Sequence, residues 1–115
     1  MILTRRYNFD IVPGGPPLLI RASRNDTSST LVFSLFAGEG VLQIPAGTTA
    51  VFRCPYGNAI ATLSFVGGVP TITVDLTADM TGKAGWIPFE IVLTAKENNN
   101  DYTLVTATMI LDIRG

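Results

Sequence analysis

The last thirty residues of the chain alternate between apolar and polar positions with a period of two. In residues 86–95 one face is formed by Ile87, Phe89, Ile91 and Leu93. In residues 102–113 the corresponding face is formed by Val105, Ala107, Met109, Leu111 and Ile113. Such alternation predicts strands with one face against a core. The polar link at 96–101 is typical of a turn, so residues 86–115 are predicted to form one long β-hairpin.

Seven shorter alternating or apolar segments precede this hairpin, each ended by a turn signal. They are residues 7–12, 18–22, 30–36, 41–44, 49–54, 60–66 and 70–76. Residues 60–66 and 70–76 are predicted to pair across Gly67-Gly68, and residues 77–80 to form one helical turn. Turn signals every ~8–12 residues and no helical periodicity predict an all-β fold, an antiparallel β-sandwich (Ig-like or jelly-roll-like) of eight or nine short strands. At 115 residues, the chain is predicted to be a single domain, residues 1–115.

The composition narrows the possible partners. Charged residues make up 15 % of the chain and hydrophobic residues 47 %, with a mean hydropathy of +0.37. This apolar surplus predicts a surface that another protein covers. The net charge of −1 and the lack of a basic run argue against nucleic acid as a partner. No segment reaches the ~20 apolar residues of a membrane span, and no apolar stretch of a signal peptide follows Arg5 and Arg6, so we expect synthesis in the cytoplasm.

The residue types needed for catalysis are mostly missing. The chain contains no histidine, which removes the usual general base and metal ligand, and one cysteine, Cys54, which excludes an intrachain disulfide. Cys54 is in phase with Phe52 and is predicted to be a small core residue. The carboxylates are dispersed, and residues 98–101 lack the spaced carboxylates of a calcium loop. We therefore expect no catalytic residue, no metal, no cofactor and no enzymatic activity.

Apolar residues also occupy strand positions opposite the predicted core, where a two-layer sandwich carries polar residues. Trp86, the one tryptophan, fits either a core anchor or an interface anchor. The candidate interface residues are Trp86, Val92, Leu104, Ile110, Val32 and Phe36. An exposed apolar row beside unpaired strand edges invites association unless a partner covers it. We expect this domain to self-associate or to dock on a larger protein.

Five stretches follow one another in an order that is known from one protein family. They are Asn25-Asp26-Thr27 with the strand at 30–35, residues 44–48 leading into 51–54, the turn Pro55-Tyr56-Gly57, TVDLTADMTGKAGW at 73–86, and the closing segment 106–113. In this order they resemble the N-terminal domain of the phage upper baseplate protein (BppU-type) family. Tyr56 stands where the family usually carries aspartate. The resemblance covers nearly the whole chain and consists of strand and turn patterns, without a catalytic signature.

The resemblance implies a β-sandwich structural module of a phage tail baseplate, without an active site, that docks a larger protein onto the tail. Its partners would be other virion structural proteins of the tail or capsid, and its location the virion, after synthesis in the host cytoplasm. A homo-oligomer is a further expectation, with a trimer favoured for a phage appendage, although the trimerising parts of the family are missing from this chain.

Two other functions fit the same pattern. Small β-sandwiches also serve as capsid decoration or head-fibre proteins. A carbohydrate-binding β-sandwich module is the second alternative. It would need an aromatic platform built from Tyr7, Tyr56, Trp86 and Tyr102.

Overall fold

The computed structural model describes residues 2–12, 14, 16–38, 42–45 and 47–115. Nine strands and one short helix lie in this part of the chain. The strands are β1 (Leu3–Asp10), β2 (Leu19–Ser23), β3 (Ser29–Phe36), β4 (Thr49–Arg53), β5 (Ala59–Val66), β6 (Val69–Asp75), β7 (Gly85–Glu97), β8 (Asn100–Val105) and β9 (Met109–Arg114). The helix, α1 (Ala78–Thr81), is a single turn capped by the Thr77 side chain, which accepts from the Met80 N–H. The predicted all-β class and the predicted helical turn are confirmed.

All nine strands belong to one mixed sheet in the order β1-β3-β6-β5-β4-β7-β9-β2, with β8 paired to β7 beside this path. Strand β1 runs parallel to β3, and β2 runs parallel to β9, while the other pairs are antiparallel. The predicted purely antiparallel arrangement is therefore wrong for two pairs. Alternation along a strand reports which face is buried, but it carries no information about the direction of the neighbouring strand.

The sheet curls until its two halves face each other across the core. Phe33 in β3 and Phe89 in β7 have ring centroids 6.4 Å apart, although β6, β5 and β4 separate their strands in the sheet. At the ends of the sheet, the Arg5 guanidinium on β1 donates a hydrogen bond to the Arg21 carbonyl on β2. One curled sheet thus replaces the two separate layers of the predicted sandwich.

The core residues agree with the predicted phase on most strands. Ile87, Phe89, Ile91 and Leu93 of β7 are all buried, and so are Met109, Leu111 and Ile113 of β9. Cys54 is buried in the same core, as predicted, and its thiol lies 2.9 Å from the Gly57 carbonyl. The predicted hairpin across Gly67-Gly68 is confirmed by the pairing of Val66 with Val69. The predicted strand at 41–44 is not found at residues 42–44, and Val41 lies outside the described residues.

The terminal hairpin differs from its prediction at both the turn and the returning strand. Asn98 and Asn99 have φ values of 51° and 64°, so they form a two-residue turn with both central residues left-handed. Strands β7 and β8 therefore extend into the predicted polar link. The returning strand is interrupted, because Val92 pairs with Val105 whereas Phe89 pairs with Met109. Three residues, 106–108, thus oppose two, which defines a β-bulge.

The bulge reverses the faces of β8 relative to the prediction, because a one-residue slip moves every side chain to the other face. Leu104 pairs with the core residue Leu93, and Val105 pairs with the outward residue Val92. The predicted core position of Val105 and the predicted outward position of Leu104 are both wrong. Thr106, also predicted to point outward, is buried, and its hydroxyl accepts a hydrogen bond of 2.9 Å from the Ile91 N–H.

Candidate interaction surface

The convex side of the sheet half β5-β4-β7-β9-β2, together with Val105 of the adjoining strand β8, carries a group of apolar side chains. Each of these strands turns alternate residues into the core, so the residues between them point outward. The pairing of neighbouring strands then decides which outward residues lie side by side. We call this side the outer face, and it has two apolar parts separated by a charged pair.

The first part, the aliphatic row, crosses four strands and consists of Ile60, Val51, Val92 and Val105. Ile60 pairs with Val51, Val51 with Val92, and Val92 with Val105. The two ends of the row are the most exposed, with 88 % exposure for Ile60 and 40 % for Val105. Directly opposed β-branched side chains form a continuous and rigid apolar strip across the four strands.

The second part, the aromatic patch, lies towards the other end of β7 and consists of Trp86, Pro88, Ile110 and Leu19. Pro88 pairs with Ile110, and Ile110 pairs with Leu19. Trp86 is 70 % exposed, which contradicts the core-anchor alternative for this residue. A tryptophan with most of its surface in water, beside three further apolar side chains, has the composition of an interface anchor.

Two carboxylates of the outer face, Glu90 and Asp112, are paired with arginines of the same face. Between the aliphatic row and the aromatic patch, Arg53 forms an ion pair with Glu90, with 2.9 Å between Nε and Oε1. Beside Trp86, the Asp112 carboxylate is only 5 % exposed and accepts from Arg114 at 2.8 and 3.0 Å. The Arg21 Nε lies 3.9 Å from the same carboxylate. The hydrogen bond with Asp112 raises the pKa of Arg114.

The structure brings three of the six candidate interface residues together. Trp86, Val92 and Ile110 all point outward from β7 and β9. Leu104 lies on the opposite side of β8, where it lines a groove of about 250 Å³ with Leu42 and Ile44.

The other two candidates belong to the other half of the sheet. Val32 and Phe36 lie on the convex side of β3, where Val32 is only 7 % exposed and Phe36 is 38 % exposed. Val32 is covered because Arg6 and Thr73 flank it on the neighbouring strands.

Sequence reasoning missed five members of this surface: Ile60, Val51, Leu19, Pro88 and Val105. Their signal was present, because Val51 alternates with the core residues Ala50 and Phe52. The signal could not show that the rows of β5, β4 and β7 meet, since that depends on strand order and register. The surface therefore emerges only when the sheet is assembled.

The described residues offer little chemistry elsewhere. They contain no cluster of three residues suited to hold a metal ion, and none of their helices is long and apolar enough to cross a membrane. A cleft of about 720 Å³ lies between the end of β1, residues 16–19 and the bulge. Its carboxylate, Asp10, accepts hydrogen bonds from the backbone N–H groups of Val12 and Gly38, which lower its pKa. Asp10 therefore ties two chain segments together.

The four aromatic residues of the carbohydrate-binding alternative do not share a face. Tyr7 is half-buried and stacks on Phe33 at 5.7 Å between ring centroids. Tyr56 lies at a turn, where the Lys83 ammonium sits 5.0 Å from its ring. Trp86 belongs to the outer face, whereas Tyr102 lies on the other side of β8. No aromatic platform forms from these residues.

The fold of this chain is similar to that of a known protein domain. Neither models of protein families nor curated protein sequences match the chain. Among solved structures, the chain is similar to the N-terminal domain of phage TP901-1 ORF48, with a TM-score of 0.75 and 11 % sequence identity. The alignment covers 99 % of this chain and 100 % of that domain. ORF48 is a baseplate protein of the BppU type, the family that the sequence resembles, and the likeness shows that the two domains share a fold.

Proposed function

We propose that this protein is a structural component of a phage virion, a docking module of the tail or baseplate that acts through protein–protein contacts and without catalysis. The observation that carries the proposal is the match over the full length of both chains with the N-terminal domain of a phage protein, at a TM-score of 0.75. The sequence resemblance, drawn from strand and turn motifs alone, points to the same family. Fold alone does not determine function, so the surface must supply a mechanism.

The outer face supplies the docking mechanism. The molecule measures 46 Å along its long axis and 27 Å across. The face is four strands wide at Val92 (β5, β4, β7 and β8) and three strands wide at Pro88 (β7, β9 and β2). With about 4.8 Å between neighbouring strands, these widths are roughly 14 Å and 10 Å. The aromatic patch provides the anchor, and the aliphatic row provides apolar area whose burial against a partner is favourable.

The charge pattern favours an apolar protein partner. Glu90 and Asp112 are each held by an arginine of the same face, so neither of these two carboxylates is left without a cation when an apolar partner covers it. Nucleic acid would require a field of unpaired cations, and the net charge of the chain is −1. We propose other virion structural proteins as the partners, after synthesis in the host cytoplasm.

The proposal is tested by locating the protein in phage particles. Virions produced by cells that carry the gene would be separated into tail and capsid fractions and examined by mass spectrometry and by immunogold electron microscopy. We expect the protein in the tail fraction, at the baseplate end. Recovery in the capsid fraction would instead support a decoration or head-fibre role, and absence from washed particles would contradict both.

A pair of matched variants tests the surface. Ile60→Lys places a charge at the exposed end of the aliphatic row, and Ser64→Lys places the same charge on an exposed residue of the same strand outside the row. We expect Ile60→Lys to lower incorporation into particles strongly and Ser64→Lys to leave it unchanged. Trp86→Ala is expected to act like Ile60→Lys. Equal incorporation of all three variants would show that the outer face is not the docking surface.

A further inference from the structure

Strand β8 presents a free edge. Within the described chain β8 pairs only with β7, and all six of its residues are exposed. The terminal strands of the sheet, by contrast, approach each other through the Arg5 contact to Arg21. An unpaired edge is a template for another strand, because only a strand satisfies a row of backbone N–H and C=O groups.

The hairpin geometry defines which groups are free. Glu97 and Asn100 close the two-residue turn and form a hydrogen-bonded pair, so the even-numbered residues of β8 direct their backbone groups towards β7. Thr106, the next even-numbered residue, follows the same rule, because its N–H donates a hydrogen bond to the Ile91 carbonyl on β7. The backbone N–H and C=O groups of Asp101, Thr103 and Val105 therefore point away from β7, in the plane of the sheet, at the free edge.

We propose that β8 pairs with β8 of a second copy of this chain, antiparallel and about a twofold axis at Thr103. The axis stands perpendicular to the sheet, so each face of one copy continues into the same face of the other. Residues paired across the axis must then belong to the same face, and their numbers must add up to an even sum.

Thr103 on the axis is the register that uses every free group. It pairs Asp101 with Val105 of the second copy, Thr103 with Thr103, and Val105 with Asp101, so three outward-directed pairs each exchange two hydrogen bonds. With Tyr102 or Leu104 on the axis, only two such pairs form within the strands. The chosen register therefore makes the longest ladder.

The side chains of this register are compatible on both faces. On the core side Tyr102 meets Leu104 of the second copy twice, and an aromatic–aliphatic cross-strand pair is stabilising. On the outer side the two Thr103 hydroxyls meet beside Thr94. The two Asp101 carboxylates lie about 13 Å apart, four residues along the strand, which exceeds the Debye length of ~8–10 Å at ordinary salt.

The contact is small, so the dimer is expected to be weak and transient. It also closes at two copies, because the twofold axis leaves no second free β8 edge. The proposed dimer thus differs from the trimer favoured for a phage appendage, and it does not depend on where in a virion the protein sits.

Cysteine cross-linking tests the register directly. In a hydrogen-bonded antiparallel pair the Cα atoms are about 5.5 Å apart, within the range of a disulfide. Thr103→Cys should therefore form a covalent dimer under mild oxidation. Asp101→Cys, on the same exposed strand, should cross-link at least about tenfold less because its Cα atoms are too far apart. The unmodified chain, whose buried Cys54 is the only thiol, should remain monomeric on a denaturing gel.

Equal cross-linking of the two cysteine variants, or none by Thr103→Cys, would overturn the proposal. Light scattering of the unmodified protein at high concentration should approach twice the 12.3 kDa chain mass. Thr103→Pro removes an N–H that the fold itself does not use, and proline is tolerated on edge strands. This variant should keep its circular dichroism spectrum and remain a monomer. A folded Thr103→Pro that still dimerises, or a wild-type mass of three chains, would also overturn the β8 pairing.

Discussion

The two halves of the terminal hairpin share strand β7 and the same alternation, yet only one of them is packed. In the half formed with β9, Phe89, Met109 and Leu111 are at most 2 % exposed. In the half formed with β8, every residue of the returning strand is exposed, and Leu104 reaches 39 % exposure. The difference lies in what faces each half. Phe33 of β3 packs against Phe89, whereas Leu104 faces a groove beside residues 42–45.

The bulge at residues 106–108 marks the boundary between these halves. It shifts the register by one residue, so that the alternation of β8 and that of β9 serve opposite faces. Thr106 secures the shift through the hydrogen bonds that its hydroxyl and its N–H make with Ile91. One sequence pattern thus yields a core strand on one side of the bulge and an exposed edge on the other.

The largest expected loss of stability comes from truncating core residues in the packed half of the hairpin. Phe89→Ala should lower the free energy of unfolding by about 3–5 kcal/mol, and Ile91→Ala by about 2–5 kcal/mol, a large part of a total near 5–15 kcal/mol. The measurement is urea denaturation followed by tryptophan fluorescence. Glu90→Ala, on the outer face between them, is the control and should change stability by less than about 1 kcal/mol. A control as damaging as Phe89→Ala would mean that the two faces of β7 were exchanged.

A smaller loss of unfolding free energy is expected from a change in the bulge, which is the boundary between the two halves of the hairpin. Thr106→Val keeps the shape of the side chain but removes the hydroxyl that accepts from the Ile91 N–H. A buried donor left without a partner costs about 1–3 kcal/mol, and the Ile91 amide should exchange with solvent faster. Thr108→Val, at an exposed position of the same bulge, should change neither quantity. Unchanged exchange at Ile91 in Thr106→Val would show that the hydroxyl does not hold the bulge.

Acidification is expected to lower stability through a loop that is tied to the packed half of the hairpin, and not through the edge strand β8. The Ser29 hydroxyl and the Ser28 N–H donate to the Asp26 carboxylate at 2.7 and 2.8 Å, which lowers its pKa. Because the folded carboxyl binds its proton less tightly than the unfolded one, its contribution is present above the usual pKa of about 4 and is lost as pH falls through the lower folded pKa. The loop of Asp26 is tied to β9 through the Arg24 N–H and the Arg114 carbonyl.

The acid effect can be measured as the melting temperature between pH 7 and pH 2. Asp26→Asn should be less stable than the wild type at pH 7 and should lose less on acidification, because the titrating carboxyl is gone. Amide exchange near residues 26–29 should increase at low pH. Greater acid sensitivity in Asp26→Asn than in the wild type would contradict the sign of the shift.

The smallest effect is expected on the exposed half. Leu104→Ala should cost less than about 1 kcal/mol because the side chain already contacts water. Leu111→Ala, the same change on β9 with no exposure, should cost about 2–5 kcal/mol. Equal losses in the two variants would remove the distinction between the halves of the hairpin.

The sequence by itself determined the strands and their buried phase wherever a strand stays regular. The alternation of β7 and β9, the turn at Gly67-Gly68 and the core position of Cys54 are all local properties, since side chains two residues apart share a face. The same reasoning located three of the eight residues of the candidate surface, namely Trp86, Val92 and Ile110. It assigned Val105 and Leu104 to the wrong faces, because nothing in the alternation of residues 102–113 indicates an extra residue.

The tertiary structure decided the rest. The parallel pairs β1–β3 and β2–β9 join segments that are distant in the chain, and the curl of the sheet places Phe33 against Phe89. The aliphatic row from Ile60 to Val105 exists only because three registers coincide. Strand order, direction and register depend on contacts between residues far apart in sequence, and the free energy of those contacts is not contained in the periodicity of any single segment.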